Sequence, residues 1–417
     1  METRQASLAR QTGKWLVLAV CWFIFFLNQA DRQVIFSVFP LVKGELGLSD
    51  AELGLIGSVF FWVYGLLVPV AGGMADRFSR RWIVIVALAV WSMATIGSSF
   101  AAGLMLLVVL RGLTAAGEAF YFPAAGSMIS DYHGTDTRAT AMAIHQTSNY
   151  LGVMVSGGLA GWIGQHYGWR SSFAWFGGAG ILVAAVAMWL LREPPRGASE
   201  GVVTTEVTPL AERLREAVSS PTLLLHTVGF IGMLLTLTAY LTWMPTLLFR
   251  KFGMGLAEAG FHATFWHHLG AMAGTLAGGQ LADRFSARTP LSRPITQIVG
   301  LLAATPFIYL MGASDSRMTV MIALGLFGLC RGLYDSNLFA SPYEVIRPKS
   351  RATATGLMLA MAFLFGGVSP LFIGRLAQSM SLPAAVSFTS LFYAAAGLVL
   401  AVDALWFFRK GVERRCA

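Results

Sequence analysis

The chain has 417 residues, 56% of them hydrophobic and only 12% charged, with a mean hydropathy of +0.64 and a net charge of +9. A soluble domain needs about 25% charged residues to solvate its surface, so this composition excludes a water-soluble enzyme or binding module and indicates an integral membrane protein. A pI near 9.7 would suit a nucleic-acid partner, but the basic residues sit in short loops between apolar runs, the mark of membrane topology rather than of a phosphate-binding stripe.

The polar, basic stretch METRQASLARQTGK (1–14) leads into WLVLAVCWFIFFLNQA without a cleavage site, and reads as a retained cytoplasmic tail. Runs able to cross ~30 Å of hydrocarbon then recur. The predicted spans are 15–42, 51–74, 82–100, 102–130, 138–166 and 171–191, then 222–249, 256–282, 294–312, 317–341, 351–378 and 384–408. The long polar stretch 192–221 separates six spans from six, and LAERLREAV within it reads as an amphipathic helix at the membrane surface. The expected fold is an all-α membrane protein of twelve transmembrane helices in two pseudo-symmetric six-helix bundles, 15–191 and 222–408, with a short tail at 409–417.

Lysine and arginine collect at one end of these spans, among them Arg10, Lys14, Arg77, Arg80, Arg81, Arg284, Arg288 and Arg409. The other end holds Lys43, Arg170, Arg250, Lys251 and Arg317. Both termini and the linker are therefore expected in the cytoplasm, with the chain in the plasma (bacterial inner) membrane. Cys21, Cys330 and Cys416 lie far apart and show no metal-ligand spacing.

GGMADRFSRR (72–81) returns as GQLADRFSAR (279–288), each copy closing the second span of its half. RGL recurs at 111–113 and 331–333, and TRATAMA (137–143) is echoed by SRATATG (350–356). Three echoes in the same order indicate a duplicated six-helix unit, which suits two halves rocking about a central site. On these residues the chain resembles the major facilitator superfamily: GGMADRFSRR is similar to that family's signature loop, with Ser79 in place of its usual glycine. LNQADRQV, GEAFYFPAA and LTWMPTLLFRKFGM resemble its anion:cation symporters, whereas WSMATIGSSF, RGLTAAGEA and REPPRG resemble its spinster-type lipid transporters. The repeat and the resemblance imply a cytoplasmic gate built from Gly72, Asp76, Arg77 and Arg81 with Asp283 and Arg284. Asp76 would either accept from helix N-terminal amides or pair with an arginine across the seam, and Gly72 and Gly73 would permit close helix approach.

A charge deep in the bilayer costs at least ~2.5–3.5 kcal/mol, so it marks function by default. Asp31 and Arg32 lie inside the first span. Arg111 and Glu118 lie inside the fourth, seven residues apart and so on one face about 10 Å apart along the axis. Depth counting makes an Asp31–Arg111 pair geometrically plausible, with Glu118 lower in the same cavity. Because Glu118 has Leu338 as its counterpart, the unrepeated set is read as the working one and the repeated charges as structural. Asp31 and Glu118 are the proton-coupling candidates, and Arg32 and Arg111 offer forked donors to a carboxylate or phosphate. His145, Gln146 and Asn149 in the fifth span, Tyr240 in the seventh and Asp335 in the tenth complete the substrate list. His262, His267 and His268 are weaker proton carriers, and a static network fixing the first helix to the fourth is the alternative reading.

No nucleotide, metal or nucleophile motif is present, and no cofactor is expected beyond a proton gradient. The sequence thus predicts a proton-coupled secondary transporter working by alternating access as a monomer. It is expected to move a small organic anion such as a sugar acid or other carboxylate, with a spinster-like transporter of lysolipids as the alternative. Its partners are the substrate, the proton and the bilayer, with no nucleic acid.

Overall fold

The computed structural model describes residues 2–134, 136–194, 209–286, 288–347 and 350–416, and these form helices and turns only. The first set comprises α1 (Glu2–Ser37), α2 (Phe39–Leu46), α3 (Asp50–Arg77), α4 (Arg80–Ser98), α5 (Leu104–Tyr132), α6 (Arg138–Tyr167) and α7 (Trp169–Leu190). A short α8 (Leu210–Val218) precedes the second set: α9 (Pro221–Phe252), α10 (Leu256–Ser286), α11 (Ser292–Ala313), α12 (Arg317–Asp335) and α13 (Ala340–Tyr343). The chain ends with α14 (Arg351–Gly366), α15 (Ser369–Met380), α16 (Leu382–Phe388), α17 (Ser390–Trp406) and α18 (Phe408–Cys416). With α2, α13, α15 and α16 taken as continuations of broken rods, the described residues give twelve rods of membrane-crossing length. Residues 195–208 of the predicted linker lie outside the described residues.

Four predicted spans are broken rather than continuous. The first changes direction at Val38, where Pro40 opens α2, because a proline ring tolerates only the first turn of a helix. The tenth stops at Asp335 before Pro342, the eleventh at Gly366 before Pro370, and the twelfth is divided at Thr389. Ends are set by local chemistry. Ser49 and Glu52 form a reciprocal capping box at the start of α3, while Gly47 (φ 66°) and Gly253 (φ 62°) supply the left-handed turns that close α2 and α9.

Ten rods are long and apolar enough to cross a membrane. The two others, α6 and α10, are as long but more polar, and they lie against each other where the sets meet. We call the end bearing α8 and α18 the linker side and the opposite end the far side. At the far side the seam is tight. A Cβ on Gly260 would lie 2.0 Å from the Gly157 carbonyl oxygen, one on Gly161 2.3 Å from that of Leu256, and one on Gly54 2.3 Å from that of Pro370. Arg250 of α9 crosses to Asp50 of α3 through bonds of 2.7 and 2.8 Å, joined there by Lys43 at 2.7 Å. At the linker side the same residue type meets open space: a Cβ on Gly72, Gly73 or Gly279 would touch nothing within 4 Å. The predicted close approach at Gly72 and Gly73 is therefore absent: Gly72 is half-buried, Gly73 is exposed, and no other helix packs on either.

Gly260→Val should prevent far-side closure, since its side chain would have to displace backbone rather than a flexible neighbour. The expected result is a lower Tm and loss of the tight α6–α10 approach, read by cysteine cross-linking across that seam.

Candidate functional site

Between the two sets lies a cavity of about 370 Å³, walled by α1, α3, α5 and α6 on one side and by α9, α10, α12 and α14 on the other. Arg32, Arg111, Gln146, Asn149 and Asp335 of the predicted set line it. Arg32 donates from Nε to Glu118 Oε2 at 2.6 Å and from Nη2 to Asn28 Oδ1 at 3.4 Å. Its guanidinium lies over the rings of Tyr64 (4.5 Å) and Phe60 (5.2 Å). Arg111 donates to the backbone carbonyls of Arg32 (2.8 Å) and Asp31 (3.4 Å), and its guanidinium also lies over Phe60, at 4.4 Å. Planar cations against one aromatic ring are held in place by quadrupole attraction and packing. The edges they do not use are available to an anion.

The charge pairing differs from the depth-counted one. Glu118 pairs with Arg32, and its side chain is fully buried behind that arginine. Asp31 makes no side-chain pair with Arg111; its Oδ2 accepts from Thr95 at 3.5 Å, and its Oδ1 has no hydrogen-bond partner. Asp31 and Arg32 are consecutive and therefore point about 100° apart on α1, and the rotation of α1 sends Arg32 into the cavity and Asp31 toward α4. Neither Asp31 nor Glu118 lines the cavity itself.

Two other predicted residues stand behind the walls. His145 is stacked on Phe25 (centroids 4.7 Å apart, planes 3° apart) and meets the Tyr121 hydroxyl at 3.0 Å. Tyr240 donates its hydroxyl to the Ala263 carbonyl and packs on His267 and Phe327. Neither residue lines the cavity: Tyr240 spends its hydroxyl on a buried carbonyl, and His145 engages Nε2 on Tyr121 while its Nδ1 is buried without a partner.

The second set contributes more than the sequence indicated. Arg331, read as structural because it repeats, lines the cavity beside Asp335. Its Nε lies 3.0 Å from Asp335 Oδ2 as an ion pair without hydrogen-bond alignment, and its Nη1 meets His267 Nε2 at 3.1 Å. The repeat itself could have revealed this: matching positions of a duplicated unit face the same axis, so a cavity-facing Arg111 implies a cavity-facing Arg331. Gln29 and Gln33, one turn apart on α1, were also missed and also line the cavity, with Gln33 donating to the Leu241 carbonyl at 3.3 Å.

The residues of the repeated decapeptides make contacts within their own sets. Arg81 donates to the Met188 carbonyl at 2.7 Å, and its backbone N–H donates to Glu193 Oε2 at 2.7 Å. Ser79 and Arg80 also donate to Glu193, at 2.9 and 3.0 Å, and Arg80 binds Asp131. Asp283 accepts from Arg293 at 3.1 Å, beside the Arg293–Glu344 pair. Gly72, Arg77 and Arg284 stand at the linker-side end, as does Asp76.

Burial works against ionisation of Glu193, but these donated bonds hold its carboxyl below its ordinary value near 4.5. A depressed value stabilises the fold above the unfolded pKa and is lost as pH falls through the folded one. Glu193→Gln should therefore lower Tm at neutral pH, and the difference from the wild type should shrink as pH falls below the ordinary value near 4.5 and vanish once pH is below the depressed folded value. Thermal unfolding followed by tryptophan fluorescence checks this.

Comparison with known proteins places this geometry. A family model described as Major Facilitator Superfamily matches residues 21–370. The chain is 27% identical over 392 residues to Protein spinster homolog 1 of Xenopus laevis, covering 88% of this chain and 73% of that one. It is likewise 27% identical over 413 residues to the D-galactonate transporter of Escherichia coli O6:H1, covering 90% of this chain and 92% of that one. Its fold is similar to that of a crystal structure of a bacterial homolog of the human lysosomal transporter spinster, inward-facing and unoccupied. The TM-score is 0.82 at 24% identity, with 96% of this chain and 97% of that one covered.

Proposed function

The chain belongs to the Major Facilitator Superfamily and is an integral membrane transporter, and on that footing we propose that it moves a small organic anion by alternating access driven by a proton gradient. The observation that carries this reading is the position of Arg32, whose guanidinium faces the cavity while its Nε is held by the buried Glu118. A substrate carboxylate entering the cavity competes with Glu118 for the same cation. Once the substrate takes Arg32, Glu118 is left buried without a partner, and a buried carboxylate without a partner is stable only as the neutral acid. Anion binding and proton uptake are thereby tied together. Asp31, buried beside it with an unpartnered oxygen, is a second proton carrier in the same wall.

Arg111 holds the shape of the pocket by bonding two α1 carbonyls, while Gln146, Asn149, Arg331 and Asp335 offer hydrogen bonds to hydroxyl groups. That mixture of cations and neutral donors suits a sugar acid, and the relative described as a D-galactonate transporter supports the same class. In this reading the linker side is cytoplasmic in a bacterial inner membrane, and the protein acts as a monomer. Gly72, Asp76, Arg77, Arg81, Asp283 and Arg284 form a gate that closes when the linker side comes together. A second reading, transport of a lysolipid-like amphiphile, is favoured by the aromatic and aliphatic remainder of the cavity wall, including Phe61, Leu234, Leu237 and Phe363, and by the spinster relatives.

Proteoliposomes under an imposed pH gradient, offered labelled sugar acids, simple carboxylates and lysolipids in parallel, separate these readings. Gradient-dependent accumulation of a carboxylate is expected. Movement of lysolipids alone transfers the case to the second reading, and failure of every class sinks both.

A further inference from the structure

A second group of ionisable side chains is buried outside the central cavity, one turn of α9 to the linker side of Phe230 in the cavity wall. Asp403 of α17 is fully buried; the Thr222 side chain approaches its carboxylate, but neither oxygen has a well-aligned hydrogen-bond partner. Its nearest cationic candidate is His226 of α9, whose Nδ1 lies 3.4 Å from Asp403 Oδ2. Gln297 of α11 is also fully buried and approaches His226, with neither amide atom in good hydrogen-bond alignment.

An ionised carboxylate with no donated bond and no cation is among the costliest groups to bury. The geometry around His226 removes that cost if one proton is added. Nδ1 meets the Thr222 carbonyl at 3.0 Å, and Nε2 meets the Ser341 hydroxyl at 3.1 Å. In the neutral ring the serine hydroxyl donates to Nε2. In the charged ring the hydroxyl rotates, its oxygen accepts from Nε2–H, and Nδ1–H serves Thr222 and Asp403. Both nitrogens therefore have partners in the protonated state with no movement of the backbone.

Charged groups on the surrounding elements are engaged elsewhere. Arg293 of α11 binds Glu344 beyond α13 and Asp283 of α10; Glu216 of α8 accepts from Ser350 at 2.6 Å; Arg409 of α18 pairs with Glu413. From α18 the residue against His226 is Phe408, 6.1 Å between ring centroids. Lys410 and Arg347 line a separate cavity of about 240 Å³ that opens at the linker side, and Thr222 forms part of its wall. Thr222 thus separates the pair from that cavity by one residue and connects the two through its carbonyl.

We infer that His226 and Asp403 form a second proton-binding site, outside the central cavity and served from the linker side, which controls how firmly the linker-side corner of the second set is packed. With the proton bound the pair is neutral overall, and α9, α11, α13 and α17 close around it. With the proton lost, an uncompensated carboxylate remains at the junction on which α8 and α18 are seated, and that corner loosens. The site senses linker-side pH independently of the ions that drive the central cavity.

The wild-type protein, with its seven histidines selectively labelled with nitrogen-15, tests the occupancy directly. At pH 7 one buried histidine should show both ring nitrogens protonated, its signal assigned by His226→Gln. A neutral-carboxyl infrared band removed by Asp403→Asn would equally place one proton in the pair. A neutral His226 together with an ionised Asp403 at pH 7 would overturn the inference. For the control function, transport at equal pH on both sides should fall with rising pH in the wild type, as the pair gives up its proton. Asp403→Asn should remove that fall while keeping the response to an imposed gradient. An Asp403→Asn profile that follows the wild type throughout would show that the pair controls nothing.

Discussion

Asp31→Asn is expected to abolish accumulation driven by a pH gradient while leaving exchange of substrate across equal pH in place. Asp31 is buried in α1, its Oδ1 without a well-aligned partner and its Oδ2 accepting from Thr95 at 3.5 Å. Asparagine preserves the shape and the hydrogen-bonding edge but has no proton to exchange. With one proton per substrate, each unit of pH gradient supports about tenfold accumulation, so the variant should fall from that level to none. Uptake of labelled substrate into proteoliposomes, run once with a gradient and once as counterflow, separates lost coupling from lost binding. Loss of counterflow as well would assign Asp31 to binding or folding instead.

Arg32→Ala should have the larger effect on the protein itself. It removes the substrate's cation and strands Glu118, whose side chain has no exposure. Breaking a buried pair from one side costs about 3–5 kcal/mol, chiefly because of the charge left behind. The double variant Arg32→Ala with Glu118→Gln should recover most of the stability, since both charges are then absent, yet it should bind no anion. A Tm series over wild type, both single variants and the double gives the coupling energy. If the double variant is no more stable than Arg32→Ala alone, the pair is not the element that the geometry describes.

The outline of the fold was legible because membrane length, breaker residues and the repeated decapeptide are all written in one dimension. Twelve rods follow from spacing alone, although the interruptions at Val38, Gly366 and Thr389 required knowledge of how the chain bends. The site was legible only in part. Residue type pointed to Arg32, Arg111 and Asp335, which line the cavity, because a charge inside a membrane span is costly. Pairing was not legible, since Arg32 and Glu118 are 86 residues apart and the rotation of α1 about its axis decides which of two adjacent charges faces inward. His145 and Tyr240 were misplaced for the same reason: a polar residue on a helix is equally compatible with a cavity and with a buried neighbour. Arg331 was readable from the repeat, had its symmetry been applied to the faces of the helices as well as to their order.

Closure at the far side follows from where glycines meet backbone. Gly157 and Gly260 allow α6 and α10 to touch, whereas no neighbour packs on Gly72 or Gly279 at the linker side. The polar character of α6 and α10, which keeps them below the apolarity of the other rods, fits their position along the seam and the cavity rather than among lipids.

The competition of substrate with Glu118 for Arg32 is tested most directly by proton movement that accompanies substrate. Proteoliposomes holding a pH-sensitive dye, without any imposed gradient, should register a change of internal pH when a transported carboxylate is added outside. The change should scale with substrate uptake and be absent in Glu118→Gln. Uptake that leaves internal pH unmoved, or a Glu118→Gln protein that still moves protons with its substrate, would contradict the account.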